Sequence, residues 1–321
     1  MITDLVTTII PVFNRSALLK DAVESVVQQN YRPIEIIIVD DGSTDDSLKQ
    51  ARALQKDHPE ITAIIRQNNA GPGTAREKGR QQARGEFIQY LDSDDLLLPD
   101  KFKRQVDGLK TNPNCGVSYG KTCFANGFDP PDFVPLKRTG SKVATMFPAF
   151  LQSRWWSTST PMYRKSITDR AGPWTSLRNE EDWEYDCRIG SQQIALHYCD
   201  DFVSVKRQFP DGLSRNGDSD PRKLRDRTAA HKLIYNHART ADIDHDVYEM
   251  RHFAREVFLL ARQCGAANLP TESRDLFALA KQASGPNRTR SWDFVLYYAL
   301  ARTCGWRTAG RLACWSDRFR A

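Results

Sequence analysis

The chain has no long hydrophobic run. Its longest uncharged apolar stretch, Phe294 to Ala301, falls far short of the roughly 20 residues that span a bilayer, so it is not expected to cross a membrane by itself. The N-terminus, Met1-Ile2-Thr3-Asp4-Leu5, lacks a basic segment followed by an apolar one, so export is not expected either. The seven cysteines are odd in number and include no Cys-x-x-Cys pair. That argues against a disulfide framework and a zinc site, and it fits a reducing cytosol. Internal repeats and low-complexity segments are also missing. What remains is an ordinary soluble composition, 40% hydrophobic and 27% charged over 321 residues. This length suits one large domain, or one plus a smaller appendage.

The net charge of +6 is unevenly placed. Residues 222–321 carry 18 Lys and Arg against 10 Asp and Glu, whereas residues 1–221 carry 28 against 30. The basic character therefore belongs to the C-terminal third, and it points to an anionic surface as a partner for the tail.

The first hundred residues alternate strand and helix. Leu5 to Phe13 is β-rich, and Ser16 is placed to cap a helix whose apolar positions Leu18, Leu19, Ala22, Val23, Val26 and Val27 follow helical spacing. Ile34 to Val39 is apolar throughout, as expected of a parallel strand covered on both faces, and a turn at Asp40 to Asp45 leads into a helix over Asp46 to Lys56. Ile61 to Arg66 reads as a third strand, and Thr74 to Arg84 as a helix closed by Gly85. This alternation predicts right-handed crossovers and a mostly parallel sheet. A helix follows Pro99 to about Lys110, then a strand over Gly116 to Tyr119 and a Pro- and Gly-rich loop over Asn126 to Gly140. From Pro221 the chain reads as helices over Lys223 to Arg239, Val247 to Cys264, Thr271 to Ala283 and Ser291 to about Phe319. The expected domains are 1–220, with a nucleotide-binding half (1–100) and an acceptor half (101–220), and a helical, basic extension over 221–321.

Phe87-Ile88-Gln89-Tyr90-Leu91-Asp92-Ser93-Asp94-Asp95 carries the chemistry. A β-prone run delivers three carboxylates to the end of a strand, where ligands bind in open α/β sheets. Hard oxygen ligands suit Mg²⁺ or Mn²⁺, with substrate phosphates completing the shell, so a diphosphate substrate is expected. A solvated loop of capping aspartates is the plainer alternative.

Five ordered strings resemble the family 2 glycosyltransferases, inverting enzymes with the GT-A fold. They are Ile9-Ile10-Pro11-Val12-Phe13-Asn14-Arg15, Val39-Asp40-Asp41-Gly42-Ser43-Thr44-Asp45, Asn69-Ala70-Gly71-Pro72-Gly73-Thr74-Ala75-Arg76, Tyr90-Leu91-Asp92-Ser93-Asp94-Asp95 and Glu181-Asp182-Trp183-Glu184. The resemblance covers roughly residues 3–215. It implies an α/β, Rossmann-like GT-A fold with a mostly parallel central sheet, followed by a helical C-terminal extension. It further implies that Pro11, Asn14 and Arg15 line the nucleotide pocket, with one carboxylate of Asp40 and Asp41 on the base. Gly71 and Arg76 would approach the nucleotide or its phosphates, Asp92 would lie by the ribose and Asp94 would ligate the divalent cation. Asp182 is the matching general base, to take the proton of the attacking hydroxyl. Crowded carboxylates around it are expected to raise one another's pKa. Trp156, Ser157, Thr158, Glu181 and Trp183 fall where the family shapes its sugar and acceptor pocket.

Plainer readings stand beside these: turn and cap roles for Asp40 and Asp41, turn glycines at Gly71 and Gly73, dipole pairing for the acids of 181–184, and a core role for the Trp155-Trp156 pair. One departure from the family pattern is visible: many relatives have His where this chain has Phe209, which cannot ligate a cation, so either the ion relies on Asp94, the diphosphate and water, or another group such as Arg207 or Arg215 compensates.

Residues 288–321 hold seven Arg and two Asp among Trp292, Phe294, Tyr297, Tyr298, Trp306, Trp315 and Phe319. Such a segment suits a helix lying on an anionic membrane, or a hairpin packing its aromatics on the core. Nucleic acid is not expected, since no recognised binding motif accompanies the charge. The implied function is transfer of a sugar from a UDP, GDP or TDP donor to a glycan or lipid-linked acceptor in bacterial surface polysaccharide assembly, in the cytoplasm, at the inner face of the cell membrane. A non-catalytic nucleotide-sugar-binding protein is the alternative. A nucleotidyltransferase would need a Gly-rich triphosphate loop that Ile9 to Arg15 does not offer.

Overall fold

Apolar runs too short for helices build the first strands of a mixed sheet. The computed structural model describes residues 1–209, 220–285 and 291–317. Strands β1 (Ile2–Val12), β2 (Ile34–Asp40), β3 (Ile61–Arg66) and β4 (Gly85–Tyr90) alternate with helices α1 (Ser16–Val27), α2 (Ser47–Asp57) and α3 (Pro72–Gln82). All seven residues of β2 are buried, as a central parallel strand requires. There follow β5 (Leu96–Leu97), α4 (Lys101–Thr111), β6 (Cys115–Asn126), β7 (Met162–Arg164), α5 (Lys165–Ala171), α6 (Glu181–Gly190) and β8 (Ala195–Gln208). The sheet order is β3-β2-β1-β4-β7-β6-β8-β5. Four pairings are parallel, and β7 is antiparallel to both of its neighbours.

The expected strand-helix alternation is present, with corrections at its edges. Ser16 does not cap α1 with its side chain; it is the first helical residue, and its N–H donates to Asp45 Oδ2 at 3.2 Å. Gly85 does not close α3, which ends at Gln82; it opens β4, where a Cβ would lie 2.5 Å from the Leu5 carbonyl. The strand read as Gly116 to Tyr119 runs on to Asn126, because its partner β8 continues for 14 residues.

The contacts divide the chain into two units. The first comprises Met1–Met146, Trp155–Ser176 and the described residues from Gln192 to Phe209, and it contains the whole sheet. Its core joins Val6, Ile10, Ile36, Ile38 and Phe87 of the strands to Leu19, Val23 and Val26 of α1 and Phe102 and Val106 of α4. The second comprises Phe147–Arg154, Leu177–Ser191 and the described residues from Asp220 on. It holds α6 together with α7 (Pro221–Thr240), α8 (Tyr248–Ala266), α9 (Pro270–Ala283) and α10 (Trp292–Asp317). The helix expected over Ser291 to Phe319 is broken at Gly305, whose φ of +81° no regular helix contains. Phe319 lies outside the described residues. Among the described residues, no helix is long and apolar enough to cross a membrane.

Candidate functional site

In the first unit, the loops following β1, β2 and β3 are tied together by hydrogen bonds from side chains. After β1, Asn14 adopts φ +51°, and its Oδ1 accepts the Thr44 N–H at 2.8 Å while its own N–H donates to Ser43 Oγ at 3.1 Å. Pro11 is buried in β1, and the Arg15 N–H donates to Ser47 Oγ at 3.0 Å.

Asp40 and Asp41 divide their roles. Asp41 is taken up by the loop after β3: Oδ1 accepts Gln67 Nε2 at 2.7 Å and the Ala70 N–H at 2.8 Å, and Oδ2 accepts the Gly71 N–H at 2.9 Å. Asp40 Oδ1 accepts the Ser43 N–H at 3.1 Å, but among the described residues Oδ2 is buried without a hydrogen bond, with the Arg66 guanidinium 3.5 Å away. A buried acceptor left open is costly unless a ligand completes it. Beside it, Gly42, Arg66, Gln67, Asn68 and Asn69 line an open cavity of about 700 Å³. Gly42 has φ +76°, and a Cβ there would stand 2.8 Å from the Asn69 nitrogen, so only glycine fits.

At the end of β4 the three acids have different partners. Asp92 accepts Arg76 Nη2 at 2.7 Å. Arg76 reaches it from α3, which lies close on β1 because Gly79 leaves room for Ile9, and its guanidinium also stands 4.9 Å from the Trp174 ring centre. Asp95 is fully buried and accepts the Arg207 N–H at 3.1 Å and Ser159 Oγ at 3.2 Å. Burial, then Asp94 and Asp92, push its carboxyl up to about 7, against the pull of Lys206. Burial also raises Asp94, as does Asp92, while Lys206 and Arg15 pull it down.

Two cations from the end of β8 close this loop. Lys206 Nζ lies 3.4 Å from Asp95 and 3.9 Å from Asp92. Burial opposes its charge, but Asp95, Asp92 and Asp94 outweigh burial and hold its pKa above the ordinary lysine value. Arg207 Nε donates to the Asp94 carbonyl at 2.6 Å and Nη1 to Asp21 at 2.8 Å. Its guanidinium stands 5.5 Å from the Phe209 ring centre and 5.7 Å from that of Phe128. Phe209 is thus an apolar cover over Arg207. Arg215 lies outside the described residues. Lys206 was not singled out from the sequence, because its carboxylate partners lie more than a hundred residues away.

The donor set fits a divalent ion of one kind only. Asp95 is committed to protein donors and Asp92 to Arg76, so Asp94 supplies one carboxylate, and the ion would rely on substrate phosphates for the rest of its shell. That is a familiar arrangement for Mg²⁺. Among the described residues, no cluster of three or more His, Cys, Asp or Glu converges on a metal position.

In the second unit, α6 is preceded by Glu180, which has φ +60°. Asp182 is not among free carboxylates: Arg154, 9% exposed, hydrogen-bonds Asp182 Oδ2 through Nη1 and Asp186 Oδ2 at 2.7 Å through Nε. The expected mutual repulsion of carboxylates is thus met by a guanidinium that no sequence spacing announced. Glu181 is buried, and Trp183 Nε1 donates to the Phe150 carbonyl at 2.8 Å. Glu180 takes Arg227 at 2.9 Å and His231 at 3.1 Å, and Glu184 takes His237 at 2.8 Å and Arg188 Nε at 3.0 Å. These pairs bind α6 to α7. In the first unit, Trp156 is fully buried with its ring centre 5.1 Å from that of Tyr119, and Ser157 and Thr158 are buried beside it. The Trp156 indole therefore belongs to the core and offers no open face to a sugar.

The chain belongs to glycosyl transferase family 2, whose family model matches residues 7–180. It is similar to a GalNAc(5)-diNAcBac-PP-undecaprenol β-1,3-glucosyltransferase of Campylobacter jejuni, 42% identical over 93 residues that make up 29% of this chain and 30% of that protein. Matches to three curated relatives span only 48%, 24% and 30% of those proteins' lengths. Among solved structures, S. aureus TarS 1–349 in complex with UDP-GlcNAc superposes with a TM-score of 0.70 at 18% identity, over 97% of this chain and 92% of that one. The mannosyltransferase PcManGT of Pyrobaculum calidifontis, in complex with GDP-Man and Mn²⁺, reaches 0.54 at 18% identity, over 97% and 87%. At these identities the likeness establishes the fold, which is GT-A.

Proposed function

We propose that this glycosyltransferase takes a sugar from a nucleoside diphosphate donor and passes it, with inversion, to a hydroxyl of a glycan or lipid-linked acceptor. The observation that carries the proposal is the loop after β4, where Asp92, Asp94 and Asp95 follow a parallel strand at its carboxyl end and Lys206 lies 3.9 Å from Asp92 and 3.4 Å from Asp95. The nucleotide sugars in the TarS and PcManGT complexes support the donor class, and the undecaprenol-linked substrate in the name of the Campylobacter relative supports the acceptor class.

In this reading the Asp40 Oδ2 oxygen accepts an N–H of the base, since Asp41 has no oxygen to spare. Pro11, Asn14 and Arg15 shape the same pocket, Gly71 brings its backbone close, and Arg76 holds Asp92 for the ribose. Asp94 would hold Mn²⁺ or Mg²⁺, which neutralises charge on the departing diphosphate. Asp182 takes the acceptor proton as the acceptor oxygen bonds to the anomeric carbon and the bond from that carbon to the phosphate oxygen breaks. Glu181 and Trp183 lie next to it in sequence and are assigned to the acceptor pocket.

We place the protein on the cytoplasmic face of an anionic membrane, with α10 as its contact, in surface polysaccharide assembly. One face of α10 is packed, with Phe294 stacked 4.5 Å from Phe258. The other exposes Trp292, Val295, Leu296, Leu312 and Trp315 beside Arg302, Arg307 and Arg311. Apolar side chains among arginines complement an anionic bilayer surface.

A thermal-shift panel of UDP, GDP, TDP and their sugars, with and without Mn²⁺, tests the donor assignment on wild type and Asp94→Asn. The expected result is a rise in melting temperature for one nucleotide that is enhanced by Mn²⁺, with the enhancement lost in the variant. No rise with any nucleotide would overturn the reading.

A further inference from the structure

We propose that Lys206 is a built-in counter-ion for the donor diphosphate, so that this chain binds its nucleotide without requiring a divalent cation. The inference rests on the donor-site reading above and deepens it.

Each acid of the loop has a different status. Asp92 is neutralised by Arg76, and Asp95 is sealed in the interior by the Arg207 N–H and Ser159. Arg207 is engaged through Nη1 with Asp21 and through Nε with the Asp94 carbonyl, and its remaining Nη2 is buried. Lys206 differs from Arg76 and Arg207 in two respects. Its ammonium stands at ion-pair distances, 3.4 Å from Asp95 and 3.9 Å from Asp92, that are longer than a well-formed charged hydrogen bond. Its side chain also remains 30% accessible, whereas those of Arg76 and Arg207 are each only 4% accessible. An ammonium carries three donors on a compact charge, so one partly turned to solvent has donors left for phosphate oxygens.

The ligands available to a metal point the same way. Of the three acids in this loop Asp94 is the one left to it, and Phe209, packed on Phe128 and Arg207, offers no ligand atom. A divalent ion on Asp94 and the Lys206 ammonium would serve the same diphosphate charge and repel each other. The lysine therefore weakens the need for the ion.

The test is calorimetric titration of UDP, GDP and TDP into the full chain, in EDTA and in Mn²⁺, for wild type, Lys206→Met and Lys206→Arg. Wild type is expected to bind its nucleotide in EDTA within about tenfold of its affinity in Mn²⁺. Lys206→Met is expected to lose at least tenfold in EDTA while holding its Mn²⁺ affinity within about threefold, and Lys206→Arg to restore most of the EDTA binding. Because Lys206→Met strands the buried Asp95, the double variant Asp95→Asn with Lys206→Met supplies a neutral pair and is expected to show the same selective loss. Binding by wild type only in Mn²⁺ overturns this proposal alone, as does an equal loss, or none, for Lys206→Met in the two conditions. No binding by wild type in either condition overturns the donor-site reading together with it.

Discussion

Arg76 and Asp92 form a 2.7 Å ion pair across 16 residues of sequence, with side chains only 4% and 22% exposed. Removing one partner of such a pair leaves the other poorly solvated, so Arg76→Ala should cost on the order of 3 kcal/mol of stability. Arg76→Lys keeps the charge but loses the planar contact with the Trp174 ring, and it should cost less. Chemical denaturation of both variants checks the order; equal stabilities for wild type and Arg76→Ala would show that the pair contributes nothing.

Asp182→Asn preserves shape and removes the basic oxygen. Transfer should fall by roughly 10² to 10⁴, the usual share of a general base, while nucleotide binding stays unchanged. Arg154→Met releases both Asp182 and Asp186 and should also lower stability, since Asp186 is buried. Transfer assays paired with nucleotide titration separate the two effects. Undiminished transfer by Asp182→Asn would move the base elsewhere and favour a different acid of α6.

Lys101 is fully buried and donates to Gln105 Oε1 and the Thr160 carbonyl, both at 2.7 Å, with no carboxylate to balance it. Burial therefore lowers its pKa well below the usual 10.5. In the unfolded chain the same amine protonates near its ordinary pKa. As pH falls from about 10.5 toward the lowered folded value, the unfolded state takes up the proton first and stability is lost. Lys101→Met should flatten the rise of melting temperature with pH between about 8 and 10. An unchanged slope would mean that the amine is charged in the folded protein.

On α10, Trp292 is 87% exposed and Leu296 and Trp315 are 61% and 62% exposed. Binding to vesicles containing phosphatidylglycerol should fall on replacing Leu296 and Trp315 by Ser, and on replacing Arg302, Arg307 and Arg311 by Gln. Added salt should weaken binding of wild type far more than of the Arg variant. Co-sedimentation that ignores both sets of substitutions would remove α10 as the contact.

The half of the sheet built by β1 to β4 is legible because each strand is a short apolar run that ends in a polar turn. Asp92, Asp94 and Asp95 announce themselves by crowding at one such end. The division of labour between Asp40 and Asp41 is not legible, since it is decided by Gln67, Ala70 and Gly71, some thirty residues on. Arg154 is hidden for the same reason: a pair across 28 residues, with β7 and α5 between, leaves no periodic trace. Strand β8 was overlooked because Asp200-Asp201, which look like a turn, lie in its middle. The Trp155-Trp156 pair could be read as pocket or as core from composition, and burial decides for core.

Between Tyr119 and Thr122 of β6, three steps are matched by six steps of β8, from Tyr198 to Ser204. Consecutive strand residues leave on opposite sides, so an odd surplus of three reverses the side on which everything beyond it emerges. Which basic side chain meets the carboxylates is thus settled by arithmetic several residues upstream. Loss of one residue from the stretch 199–203 would bring Arg207 to the place of Lys206 and Lys206 to that of Val205, each on the opposite side from now, whereas loss of two would leave each on its present side. The irregular middle of the strand acts as a parity check on the charge of the loop it feeds.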